Sequence, residues 1–92
     1  MGLADWVNNT YFHYKPKGTG YNDVYWIESH GSYEYLWDIA DELTKLGVKF
    51  SMFPDTRWNL RVKDKASIRK LLMLKGVNRY KEKEIIKRMD II

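Results

Sequence analysis

Along the chain the apolar positions change period several times, and each change marks an element. Leu3, Trp6 and Val7 fall at i, i+3 and i+4, one side of a helical turn. Asn8, Asn9 and Thr10 follow. Such residues bond their own backbone and form helix poorly, so the helix is expected to fail there. Tyr11 to Pro16 is aromatic and strand-like, and Pro16 ends that strand or places it near an edge. Gly18, Gly20 and Asn22 separate it from a second strand-like run, Asp23 to Ser29. That arrangement predicts a hairpin with a longer loop. The string from Ser29 to Ser32 reads as a break, with His30 in a loop.

Ser32 suits an N-cap, with Glu34 in the first turn. Leu36, Ile39, Ala40, Leu43 and Leu46 then recur at three and four, the clearest amphipathic helix of the chain. Gly47 follows as its C′ residue. Val48, Phe50 and Met52 alternate with Lys49, Ser51 and Phe53, a half-buried strand that turns at Pro54-Asp55. Trp58, Leu60 and Val62 alternate with Arg57, Asn59, Arg61 and Lys63, giving one apolar face and one cationic or amide-bearing face. Asp64 or Ser67 caps a helix with Ile68, Leu71 and Leu72 as its stripe and Gly76 at its end. Asn78 caps a last helix, whose inner side carries Ile85, Ile86, Met89 and Ile92. Ile91-Ile92 is expected to dock on the core or on a second subunit.

The economical packing of this order is one α+β domain over residues 1–92, a four-stranded antiparallel sheet with helices on one face. The uncovered face then carries His13, Lys15, Trp26, Glu28, Lys49, Ser51, Asn59 and Arg61. Tyr33, Tyr35 and Trp37 cannot all lie on one side of the long helix, so at least one is expected at the surface or an interface.

Composition narrows the class. The chain has 92 residues, near the lower limit for a self-sufficient core, and 14 aromatic side chains to build it (four Trp, seven Tyr, three Phe). There is no cysteine, which excludes disulfides and thiolate metal sites. No apolar run approaches the ~18 residues of a membrane span. The N-terminus has no basic region followed by an apolar one, so no signal peptide is expected and an intracellular, cytoplasmic place is the default. Charge is more informative in its distribution than in its total of +4. Residues 1–56 hold four Lys/Arg against eight Asp/Glu, and residues 57–92 hold twelve against four. A basic half on a small domain is an electrostatic footprint for nucleic acid, although a solvated helix surface gives the same count.

The strings Leu3-Ala4-Asp5-Trp6-Val7-Asn8-Asn9-Thr10-Tyr11, then the stretch from Ile27 to Met52, then Trp58-Asn59-Leu60-Arg61-Val62, resemble the LAGLIDADG homing endonucleases. The likeness runs from about Leu3 to Leu72 and includes the family's αββαββα order. The closest branch has a Leu-Ala-x-Trp-aromatic-Met-Asp-Asp-Gly motif. Its two acids align with Asn9 and Thr10, and its glycine with Tyr11. In that family the acids hold divalent cations beside the scissile phosphates. Neither Asn nor Thr supplies the anionic oxygen that hard cations need. The resemblance therefore implies a decayed, non-catalytic member that still binds duplex DNA, with no metal or other cofactor. It also implies a possible homodimer through Leu3, Trp6 and Val7, since family members set two such domains side by side.

The candidate DNA contacts are His13, Lys15, Lys17, Lys49, Arg57, Asn59, Arg61 and Lys63. Arg and Asn are the side chains that read guanine and adenine edges. Cross-strand pairing to Glu28 or Asp55 is the alternative use of the same face. Lys15 and Lys17 flank a hairpin loop that lacks the Gly-Lys-Ser/Thr ending of a phosphate loop, yet they can straddle a nucleic-acid backbone. Lys65, Arg69, Lys70, Lys75, Arg79, Lys81 and Lys83 would neutralise phosphates. His13 and His30 have no metal-ligand spacing. Two other classes stay open. One is a small virus- or mobile-element-encoded protein that binds and inhibits a host defence complex. The other is a metal-dependent nuclease with its acids relocated to Asp5 and Asp55.

Overall fold

A computed structural model describes residues 2–15 and 24–91. The hairpin loop with Pro16, Lys17, Gly18, Gly20 and Asn22 lies outside the described residues, as does Ile92. The order is α1 (Leu3–Asn8), β1 (Tyr11–Lys15), β2 (Val24–Gly31), α2 (Tyr33–Leu46), β3 (Ser51–Pro54), β4 (Trp58–Val62), α3 (Lys65–Leu72) and α4 (Arg79–Ile91). The strands form one antiparallel sheet in the order β1-β2-β4-β3. The two central strands therefore come from different hairpins, joined across α2.

One core lies between the sheet and the helices. Ile27, Leu60 and Val62 from the central strands meet Trp6 and Val7 of α1, Leu36, Ile39, Ala40 and Leu43 of α2, and Ile68, Leu71 and Leu72 of α3. Val77, Ile85 and Met89 close its far end. The apolar alternation of the strands thus sets which sheet face the helices cover.

Helix ends follow the local chemistry read in the sequence. The Ser32 hydroxyl accepts the Tyr35 N–H at 3.2 Å. Gly47 adopts φ +78° and lets the Val48 N–H reach the Leu43 carbonyl at 2.9 Å, the wrap that closes α2. Of the two candidates for α3, Asp64 is the cap, accepting the Ser67 N–H at 3.0 Å. Ser67 is instead buried, and its hydroxyl accepts the Lys49 N–H at 3.1 Å, which pins the approach to β3 onto α3. Asn78 caps α4 by accepting the Tyr80 N–H at 2.9 Å. Gly76 does not end α3, which stops at Leu72; it serves the following turn at φ +101°.

Two expectations are corrected. His30 is not in a loop. β2 continues to Gly31 because Ser29, His30 and Gly31 pair with Leu60, Asn59 and Trp58 of β4. Gly31 is needed at that end, since a Cβ there would stand 2.9 Å from the Tyr35 ring. The second correction concerns α1. Trp6 and Val7 are fully buried by their own chain, and the Trp6 indole N–H donates to the Ser29 hydroxyl at 2.8 Å. A six-residue helix has one apolar side, and here the core takes it. Those two side chains are therefore not available to a second copy, and Leu3 remains half-buried. On α2, Tyr33 and Trp37 reach the surface, as three aromatics in five positions require. Among the described residues no helix is long and apolar enough to cross a membrane.

Candidate nucleic-acid interface

Strand pairing arranges the uncovered face in rows. His13 lies opposite Trp26. Tyr11, Glu28, Arg61 and Ser51 form the next row across all the strands, and His30, Asn59 and Phe53 the third. Glu28 is the hub. It is buried, and its carboxylate accepts from the Arg61 guanidinium and, at 3.3 Å, from the Trp26 indole N–H. The Nε2 atoms of His13 and His30 approach its Oε2 at 3.2 and 3.1 Å. Burial pushes the Glu28 pKa up, but the hydrogen bond and charge of Arg61, helped by the two imidazoles, outweigh it and hold the carboxyl below its ordinary value.

Aromatic rings lock the hub from both sides. The Arg61 guanidinium lies 4.8 Å from the Trp26 ring centre and 4.7 Å from that of Phe53. His13 stacks on Trp26 at 5.3 Å. A guanidinium held by a carboxylate and flanked by two rings is a rigid, partly desolvated cation rather than a free reader of base edges.

The candidate contacts therefore divide. Arg61 is paired with Glu28, the alternative use of this face. Asn59 is only 2% exposed, and its Oδ1 has no hydrogen-bond partner among the described residues. An acceptor left in that condition costs about 1–3 kcal/mol. His13 is half-buried in its stack. Lys15, Lys49, Arg57 and Lys63 are exposed. Among the described residues none of these four makes an ion pair. Lys15 ends β1, Arg57 and Lys63 flank β4, and Lys49 precedes β3. Lys17 lies outside the described residues.

The basic helices behave differently from a uniform phosphate-binding surface. α3 and α4 belong to the helix layer, on the other side of the sheet from Glu28 and Arg61. Several of their cations already have partners within the chain. Arg79 pairs with Glu82 at 2.7 Å, and the Lys70 ammonium donates to the Leu46 carbonyl at 3.3 Å. The Lys81 ammonium donates to the carbonyls of Asn8 and Thr10, the open end of α1. Burial holds the Lys81 pKa below its ordinary value. Lys75 and Lys83 stay exposed.

The junction after α1 is likewise structural. The Asn9 amide donates to the Asp5 carbonyl at 2.7 Å, and the Thr10 hydroxyl to the Val7 carbonyl at 2.7 Å. The Asn8 amide donates to the Gly76 carbonyl at 3.0 Å while its Oδ1 accepts the Asn78 N–H at 2.7 Å. Asn9 and Thr10 finish the short helix on its own carbonyls, and Asn8 fastens it to the turn before α4.

Next to that junction the third row opens into a cleft of about 610 Å3, walled by Tyr11, His30, Tyr35, Asp55, Arg57 and Asn59 above Trp6 and Ser29. Asp5 is not among its lining residues. Among the described residues no group of three or more His, Asp or Glu side chains is placed to hold a metal ion. The Glu28 hub and the Lys81 cap had no motif to announce them, although the parity of Phe53 with Ser51 already put it on the open face. Compared with known proteins, the chain matches no family model, no curated protein and no solved structure.

Proposed function

We propose that this chain is a non-catalytic nucleic-acid-binding domain of LAGLIDADG-like descent, with duplex DNA as its ligand. The observation that carries this reading is the set of exposed cations without an ion pair among the described residues, Lys15, Lys49, Arg57 and Lys63, around a face built on Glu28, Arg61 and Trp26. Free cations at the border neutralise phosphates, and a stiff centre fixes their spacing. The αββαββα order supports the descent, and the capping roles of Asn9 and Thr10 support the loss of catalysis. Relocated catalysis through Asp5 and Asp55 is the weaker alternative, because only Asp55 reaches the cleft.

Fluorescence anisotropy with a labelled duplex tests the reading. Affinity should fall steeply from low to moderate salt, with a logarithmic slope of about −3 to −4 for four phosphate contacts. No affinity at low salt, or affinity indifferent to salt, sinks it. A second reading, a small protein that inhibits a host complex, is favoured by one observation: exposed Tyr33 and Trp37 stand beside Asp38 and Asp41 on α2. Recovery of a stoichiometric protein partner that Trp37→Ala abolishes would replace the first reading with the second.

A further inference from the structure

The cleft at the end of the open face has a chemistry of its own. Its volume, about 610 Å3, lies in the range of small-molecule sites. Four aromatic residues line it, Tyr11, His30, Tyr35 and, at its buried floor, Trp6. The hydrogen bond between His30 Nε2 and Glu28 fixes one of those rings. The exposed guanidinium of Arg57 stands on its wall without an ion pair among the described residues. On the same wall is Asn59, nine-tenths buried, with an acceptor that nothing among the described residues satisfies. Rings, a cation and an unpaired carboxamide together match a nucleotide, which brings a π-face, a phosphate and a hydrogen-bonding edge.

We propose that this cleft takes one unpaired nucleotide whose base carries an exocyclic amine, adenine first, with its phosphate on Arg57. This rests on the nucleic-acid reading above and narrows it to one place. An asparagine amide presents an acceptor beside a donor, the complement of adenine's amino group and N7. On the edge that carries adenine's amino group and N7, thymine and uracil present only O4, with no donor for the orphan oxygen; their one donor, N3–H, lies on the pairing edge. The carboxamide torsion is soft, so binding turns Oδ1 of Asn59 toward the cleft that the residue already lines. Base stacking on the rings is tolerant of sequence, which leaves Asn59 as the discriminating group. A base must leave its stack to enter, so the site favours a mismatch, a bulge or a strand end.

The whole chain is titrated with adenosine monophosphate and with uridine monophosphate, following the amide signals of Asn59 and the ring signals of His30 by NMR. In parallel, anisotropy compares a fully paired duplex with the same duplex carrying one bulged adenine. The adenine nucleotide should bind about tenfold more tightly than the uridine one, and the bulged duplex about tenfold more tightly than the paired one. Asn59→Leu should erase both ratios. Arg57→Ala changes only an exposed turn, so it keeps the test decisive if Asn59→Leu fails to fold; it should weaken the monophosphate but not adenosine. Equal binding of the two nucleotides, or unmoved Asn59 and His30 signals, overturns the nucleotide site. If the paired duplex still binds with its salt dependence, the broader reading survives that result. Loss of duplex binding as well removes both.

Discussion

The Lys81 ammonium of α4 closes the C-terminal end of α1 by donating to the backbone carbonyls of Asn8 and Thr10. The two helices are more than seventy residues apart in the chain. A helix of six residues has almost no intrinsic stability, so tertiary contacts of this kind decide whether it forms. Lys81→Met keeps most of the apolar stem and removes the donors. It should lower stability by about 1–3 kcal/mol in urea denaturation. An unchanged midpoint would show that water replaces the ammonium at no cost.

Glu28→Gln removes the charge on which Arg61, His13 and His30 converge. At neutral pH it should destabilise the fold by about 1–3 kcal/mol. The folded pKa of Glu28 lies below its ordinary 4.5, so the ionised carboxylate's contribution is complete above 4.5 and is lost as pH falls through the folded value. Wild type and variant should therefore converge in acid. Parallel stability curves across that window would show that the pairing contributes nothing net.

Trp6→Phe tests the indole bond to Ser29 without emptying the core. Phenylalanine has no N–H, so the buried Ser29 hydroxyl loses its donor and the smaller ring leaves a void. The expected loss is about 1–3 kcal/mol, seen as a lower melting temperature. Ser29→Ala in the same background should add little, because the shared bond is already gone.

Lys63→Ala should leave folding intact and weaken duplex binding to all sequences alike. Its exposed side chain makes no ion pair among the described residues. The slope of log affinity against log salt should become shallower by about one. The same substitution at Lys81 is the informative contrast, since that cation is committed to α1 and its loss should appear in stability before it appears in the salt slope.

The sequence by itself determined the order of elements, the caps at Ser32, Gly47 and Asn78, and the phase of the sheet; the choice of Asp64 over Ser67 as the α3 cap came from the structure. Period-two alternation leaves one choice of buried face once Ile27, Leu60 and Val62 must leave water. It therefore placed His13, Trp26, Glu28, Asn59 and Arg61 together on the other face. What it did not determine is how polar groups pair once they share a surface. Alternation says which way Arg61 points, not that Glu28 holds it. It misplaced His30, because a Ser-His-Gly string breaks a strand only when no neighbouring strand offers partners, and β4 does. The family resemblance pointed to Leu3, Trp6 and Val7 as a subunit contact, although the chain's own core covers Trp6 and Val7. Tertiary structure alone separated cations that bond the backbone of another element, such as Lys81, from exposed ones without an ion pair among the described residues, such as Arg57. Whether a charge is free depends on what lies within hydrogen-bonding distance across seventy residues of chain, and no local pattern encodes that.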